Sequence, residues 1–249
     1  MASILDSEPF NQALFFPRGD ASPPPPGAID RFAEVGGARV HVRAYAAPGA
    51  RCTLLLFHGN GEVVADYDAA AERFAAIGAA LAVAEFRGYG QSTGAPTLRA
   101  VIDDARPLAE LVPGERVIVM GRSLGGAAAH ELFARPTARI AGVVLESAFC
   151  DLGRLIARRG IAPPAAFTAD ERATFSPTDK LARGRLPLLV LHGAADTIVR
   201  PDEARAAHDA ATAAASRALV YVPGRGHNDV SRGDEYWAAL AGFVAHVAA

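Results

Sequence analysis

Six apolar runs recur along this chain, each separated by enough sequence for a helix: CTLLLFH (52–58), LAVAEF (81–86), RVIVM (116–120), IAGVVLE (140–146), PLLVLH (187–192) and ALVYV (218–222). They are apolar at successive positions instead of alternating, so each needs cover on both faces. Helical sequence lies between and after them: DYDAAAERFAAIG, TLRAVIDDARPLAELV, GGAAAHELFAR, PDEARAAHDAATAAA and GDEYWAALAGFVAHVAA. This alternation predicts an α/β fold, a mainly parallel central sheet with helices on both faces. Ahead of the runs, IDRFAEV and ARVHVRAY flank Gly36-Gly37 and predict an antiparallel entry hairpin. Pro201, with Asp202 and Glu203 behind it, suits the first turn of a helix. Pro107 is expected to kink or restart the helix that contains it.

The 249 residues, 51% of them apolar, suffice for one large core, and the strand-helix pattern never pauses for a second. A single domain is expected over 29–249. Residues 1–28, with four consecutive prolines at 23–26, read as a lead-in outside the core. The formal charge of -2 and the scattering of 24 Arg and 1 Lys leave no basic stripe for a nucleic-acid partner. The N-terminus lacks the basic opening and apolar run of a signal peptide, and no stretch is long enough to span a membrane, so the expected location is cytoplasmic. Cys52 and Cys150 form no metal spacing and read as small buried residues.

Chemistry concentrates in Gly121-Arg122-Ser123-Leu124-Gly125-Gly126, between the VIVM strand and an alanine-rich helix. A sharp strand-to-helix turn exposes its middle residue at the carboxyl edge of the sheet, and glycines two positions either side give the helix clearance to pass the strand. Ser123 is therefore the candidate nucleophile. A serine hydroxyl needs a base, and the base needs an orienting acid. Of seven histidines, His227 lies in a glycine-flanked loop (VPGRGHND) after the last strand, where an imidazole can lean over the sheet edge; His41, His58, His130, His192, His208 and His246 fit structural or surface roles better. Asp196, just past the strand end in HGAAD, is preferred as the acid, with Glu146 as its competitor and Asp229 as a loop or helix-cap residue. A histidine base must be neutral, so activity should decline in mild acid.

The order Ser, Asp, His is that of the α/β-hydrolases. The sequence resembles that superfamily, and within it the serine-aminopeptidase-like bacterial hydrolases with little or no cap. The resemblance covers about 38–249 through LLLFHGNGE (54–62), AEFRGYGQSTG (84–94), GRSLGG (121–126), LHGAAD (191–196) and GRGHND (224–229). It implies an oxyanion hole built from the backbone amides of Leu124 and Asn60, and Asn60→Ala should then retain much of the activity. It also implies that substrate is set by a small cap, here about 147–185. Within that segment Phe149, Leu152, Leu155 and Ile156 share a helical face, which either packs on the domain or forms an acyl-binding wall or lipid-facing surface. Phe149, Leu152 and Phe167 are the candidate substrate contacts. Arg122 and Arg87 are expected to brace the site through Glu85 or Glu146.

The expected activity is a cofactor-free, metal-free serine hydrolase acting on a small-molecule acyl substrate, a carboxylesterase or thioesterase on an uncharged acyl group. A peptidase or acyltransferase using the same residues is the alternative. A noncatalytic binding protein of the same fold is the rival from another class.

Overall fold

The computed structural model describes residues 3–248. Eight strands form one sheet in the order β1-β2-β4-β3-β5-β6-β7-β8: β1 Ala28–Val35, β2 Ala38–Tyr45, β3 Cys52–Phe57, β4 Ala79–Ala84, β5 Val117–Arg122, β6 Ile140–Glu146, β7 Leu188–Gly193 and β8 Arg217–Val222. β1 pairs antiparallel with β2, and β2 antiparallel with β4; every other pairing is parallel. The helices are α1 Glu8–Leu14, α2 Ala71–Ala76, α3 Leu98–Leu111, α4 Gly126–Ala134, α5 Leu152–Ala157, α6 Ala169–Phe175, α7 Pro177–Leu181, α8 Pro201–Ala210 and α9 Asp234–Val247.

The unbroken apolar runs are explained by what lies on each side of the sheet. Strand side chains alternate between faces. Leu55, Phe57, Val117, Val119, Val143 and Val190 join one core with α3, α4 and α8, whereas Leu54, Leu56, Ile118, Met120, Val144 and Leu191 join a second core with Phe74 of α2 and Tyr236, Leu240 and Val244 of α9. Parallel register carries the ends of β3, β5, β6 and β7 to one rim: Phe57 faces Gly121, Arg122 faces Glu146, and Glu146 faces Leu191.

One expectation is narrowed and another corrected. Helix α3 runs through Pro107 without restart. Its buried side, with Val101, Ile102, Ala105, Leu108 and Ala109, holds it against the sheet despite the missing amide. Residues 1–28 are also not uniformly a lead-in outside the core. Leu5, Phe10, Leu14 and Phe15 are at most 3% exposed and belong to the larger core. Ser7 caps α1 by accepting from the Phe10 amide, and Asn11 Oδ1 accepts from the Leu98 amide at 2.8 Å, tying the segment to the start of α3. The proline run at 23–26 does lie on the surface.

Candidate active site

At the end of β5 the chain turns through a 3-10 turn, Ser123–Gly125, into α4. Ser123 has φ 50°, in the left-handed region that a side chain with a Cβ seldom occupies. The flanking glycines make this turn sterically feasible. A Cβ at Gly121 would stand 2.6 Å from both the Ala129 Cβ and the Gly125 carbonyl oxygen, and one at Gly125 would fall on the Phe57 carbonyl of β3.

The structure brings Ser123, His227 and Asp196 together. His227 Nε2 lies 2.9 Å from Ser123 Oγ, and His227 Nδ1 lies 2.7 Å from Asp196 Oδ2. A carboxylate can only accept, so Nδ1 carries the proton and the Nε2 lone pair faces the serine hydroxyl. Asp196 is itself fixed, because its Oδ1 accepts from the amides of Ile198 and Val199, each at 2.9 Å. Burial alone would raise the Asp196 pKa. The hydrogen bond and charge of His227, with those two amides, outweigh burial and hold it below the usual carboxylate range. His192 does not compete for this carboxylate, since its Nε2 lies closer to the Val199 carbonyl, at 2.9 Å, than to Asp196, at 3.4 Å. Glu146 does not reach His227. It accepts from Tyr236 at 2.7 Å and faces Arg122, and its burial raises its pKa. Asp229 Oδ1 accepts from the Gly226 amide at 2.7 Å, shaping the loop that carries His227.

Leu124 is buried in the turn behind Ser123. Asn60 follows β3 in the loop that faces the same rim, and its side chain has a structural task that sequence reasoning missed. Its Nδ2 donates to the Leu14 carbonyl at 2.5 Å, and its Oδ1 accepts from the Phe16 amide at 3.0 Å and from the Tyr89 hydroxyl at 2.6 Å. The N-terminal segment is thus clipped to the loop beside Ser123. The signal for this segment was present in Ser7-Glu8-Pro9, a helix start, followed by Phe10 and Leu14 four residues apart.

Arg122 pairs with Glu146 as expected, and with Glu62 besides, whereas Arg87 pairs elsewhere. Arg122 Nε donates to Glu62 Oε1 at 2.9 Å, one terminal nitrogen reaches Glu146 at 3.5 Å and the His227 carbonyl at 3.1 Å, and the other reaches Asn228 Oδ1 at 3.1 Å. Glu62 also accepts from the Gly59 amide at 2.6 Å and the Tyr67 hydroxyl at 2.7 Å. Burial would raise the Glu62 pKa, but Arg122, Tyr67 and the Gly59 amide together lower it. Arg87 pairs with Asp104 of α3 at 2.6 Å and not with Glu85. Glu85 is occupied by the Val64 amide at 2.8 Å and by His58 at 3.3 Å.

Phe149 and Leu152, expected against substrate, are 3% and 5% exposed within the larger core, and Phe149 meets His130 edge-on. Leu155 and Ile156 are buried with them, so this stripe packs on the domain. Phe167 is half-buried against the same core. A cavity of about 1200 Å³ lies at the opposite end of the sheet, where Cys52 and Ile140 begin their strands. It holds none of the three converging side chains. No helix among the described residues is long and apolar enough to cross a membrane.

With this geometry in view, residues 48–181 match the family described as serine aminopeptidase, S33. The chain is 29% identical over 209 residues to protein bem46 of Schizosaccharomyces pombe, covering 80% of this chain and 69% of that protein. It is 30% identical over 209 residues to alpha/beta hydrolase domain-containing protein 17B of Xenopus laevis, covering 80% and 68%. An esterase from Pyrococcus furiosus superposes with a TM-score of 0.73 at 16% identity, covering 95% of this chain and 98% of that one. Other curated relatives are longer still, the chain spanning 47% of one from Caenorhabditis elegans and 60% of one from Homo sapiens.

Proposed function

The chain belongs to the serine aminopeptidase S33 family of the α/β-hydrolases, and from that premise we propose that it cleaves an ester or thioester through Ser123, His227 and Asp196. The observation that carries this reading is the unbroken hydrogen-bonded series from Ser123 Oγ through the His227 imidazole to Asp196. Ser123 attacks the acyl carbonyl as His227 Nε2 takes its proton. Asp196, kept ionised by its amides, stabilises the imidazolium and holds the ring in place. The backbone amides of Leu124 and Asn60 receive the oxyanion, a contribution of about 2.7–4 kcal/mol for each such donor. His227 returns the proton to the leaving group, and water releases the acyl group by the same steps in reverse order.

Charge at the rim favours an ester over a peptide with a free amino terminus. An aminopeptidase must meet its substrate's ammonium with an anion. Here Glu62 and Glu146 are engaged by Arg122, and Glu203 of α8 is engaged by Arg158. Labelling with a fluorophosphonate tests the nucleophile. The wild-type protein should be labelled at Ser123 and hydrolyse short-chain 4-nitrophenyl esters, while Ser123→Ala should do neither. A folded wild-type protein that resists the probe would instead be a binding protein on the same fold.

A further inference from the structure

Where α5 ends, two consecutive arginines part company. Arg158 turns to Glu203. Arg159 turns the other way, its guanidinium carbon 5.4 Å from the centre of the Phe16 ring. Phe16 is 55% exposed, one of the few large apolar side chains left open to water, and its amide donates to Asn60 Oδ1 at 3.0 Å and Tyr89 Oη at 2.9 Å. Asn60 stands in the loop proposed to receive the oxyanion. Arg159 and Phe16 therefore lie together at the edge of the site nearest that loop.

Arg159 also lacks the partner its neighbours have. Arg122, Arg154 and Arg158 each pair with a carboxylate, but among the described residues none lies within ion-pair reach of Arg159. Its Nε is buried without a hydrogen-bond partner. Burial pushes its pKa down, with only the neighbouring Tyr89 acting against the shift. A half-buried guanidinium whose Nε is withdrawn from water and unpaired is favoured by an anion, because its planar fork takes a carboxylate through two parallel hydrogen bonds.

We propose that Phe16 and Arg159 form a recognition subsite for an ester that carries a second, anionic group, a carboxylate held by Arg159 with the intervening carbons lying on the Phe16 ring. This departs from the uncharged acyl group expected from the apolar residues of the cap sequence. It rests on the reading of Ser123 as the nucleophile, and it makes the N-terminal segment part of substrate selection.

The test compares three esters matched in size: 4-nitrophenyl butyrate, 4-nitrophenyl hemisuccinate, with the carboxylate on the acyl side, and 4-butyryloxybenzoate, with the carboxylate on the leaving group. One of the two anionic esters should show kcat/KM at least about tenfold above the neutral one, which identifies the side of the ester that Arg159 reads. Arg159→Gln should lower that ratio about tenfold, to the value the leaving groups alone impose, and Arg159→Lys should restore part of it. Arg172→Gln, which removes the same charge from exposed α6, should leave the ratio intact. A preference for the neutral ester, or a preference for an anionic ester that Arg159→Gln does not change, overturns the proposal. So does a loss of thermal stability in Arg159→Gln with no change in the ratio, which would make the arginine a latch for Phe16. Calorimetry separates this proposal from the one it rests on. Hemisuccinate ester or 4-butyryloxybenzoate binding to Ser123→Ala should vanish in Ser123→Ala/Arg159→Gln whether or not Ser123 is the nucleophile.

Discussion

Replacing Arg122 with methionine should cost the protein about 3 kcal/mol of stability near neutral pH and much less in mild acid. Arg122 is 11% exposed and joins Glu62, 25% exposed, to Glu146, 6% exposed. Deleting one member of a buried ion pair costs about 3–5 kcal/mol because the remaining charge stays desolvated. A cavity of about 90 Å³ beside Arg122, Glu146 and Asn228 has room for water, which favours the lower end of that range.

The pH dependence follows from which carboxylate loses its countercharge. In the wild-type protein Glu146 has a raised pKa and Glu62 a lowered one. The stability tied to Glu146 is present below its unfolded pKa and is lost as pH rises through the folded value. That tied to Glu62 is present above its unfolded pKa and is lost as pH falls through its folded value. Without Arg122 the largest influence left on each is burial, so both folded pKa values should stand above the unfolded ones. The variant should then lose stability as pH rises from about 4.5, where the unfolded carboxylates ionise. Urea denaturation at pH 5 and pH 8, each against wild type, measures this; at about 3 kcal/mol the melting temperature at pH 8 should fall by about 6–12 °C. Turnover should fall too, since Arg122 also holds the His227 carbonyl. Equal losses at the two pH values, or a loss below about 1 kcal/mol at pH 8, would refute the reasoning.

Three further outcomes can be checked directly. Asp196→Asn should keep the fold but lower kcat by about 10⁴, because an amide in place of the carboxylate permits the wrong imidazole tautomer; a loss below tenfold would remove Asp196 from its role. Asn60→Ala should retain much of the ester hydrolysis while losing about 1–3 kcal/mol of stability and exposing residues 5–16 to limited proteolysis, since its side chain holds Leu14 and Phe16; unchanged proteolysis would deny it the clip. His130, fully buried with its pKa lowered to about 3 by burial and Lys180, stays neutral in the fold while an unfolded histidine protonates below about 6.5. Its contribution to stability should drain away as pH falls from 6.5 to 3, by up to about 5 kcal/mol, and His130→Leu should flatten that acid limb of a denaturation series.

The parallel sheet was legible because burial on both faces leaves a mark at every strand position, as in Leu54, Leu55 and Leu56, which divide between the two cores. The convergence expected of Ser123, Asp196 and His227 was legible because parallel strands of similar length end at one rim, so residues just past strand ends meet whatever their separation in sequence. What escaped was whatever depended on partner choice between distant segments. Arg122 and Glu62 lie sixty residues apart, and nothing local distinguishes that pairing from one with Glu85. Residues 5–15 escaped because the proline run behind them marks a break in regular structure, and a break was read as the edge of the core, although a short amphipathic helix can pack from beyond it.

The strain in the rim shows why these distant partners matter to the chemistry. Among the described residues Ser123 and Ser147 are the two non-glycine positions with positive φ, 50° and 47°, at the carboxyl ends of the adjacent strands β5 and β6. Such conformations cost about 1–3 kcal/mol each and persist only where their surroundings over-determine them. Around Ser147 that constraint includes the hydrogen bond its backbone amide donates to the Leu191 carbonyl at 3.0 Å. Around Ser123 it includes the glycine clearance against Phe57 on one side and, on the other, the preceding Arg122, whose side chain donates to the carbonyl of His227. A serine and histidine so held need no rearrangement to exchange a proton. Relaxing the turn should therefore lower kcat with little change in KM, whereas loosening Phe16 or Arg159 should act mainly on which ester is chosen.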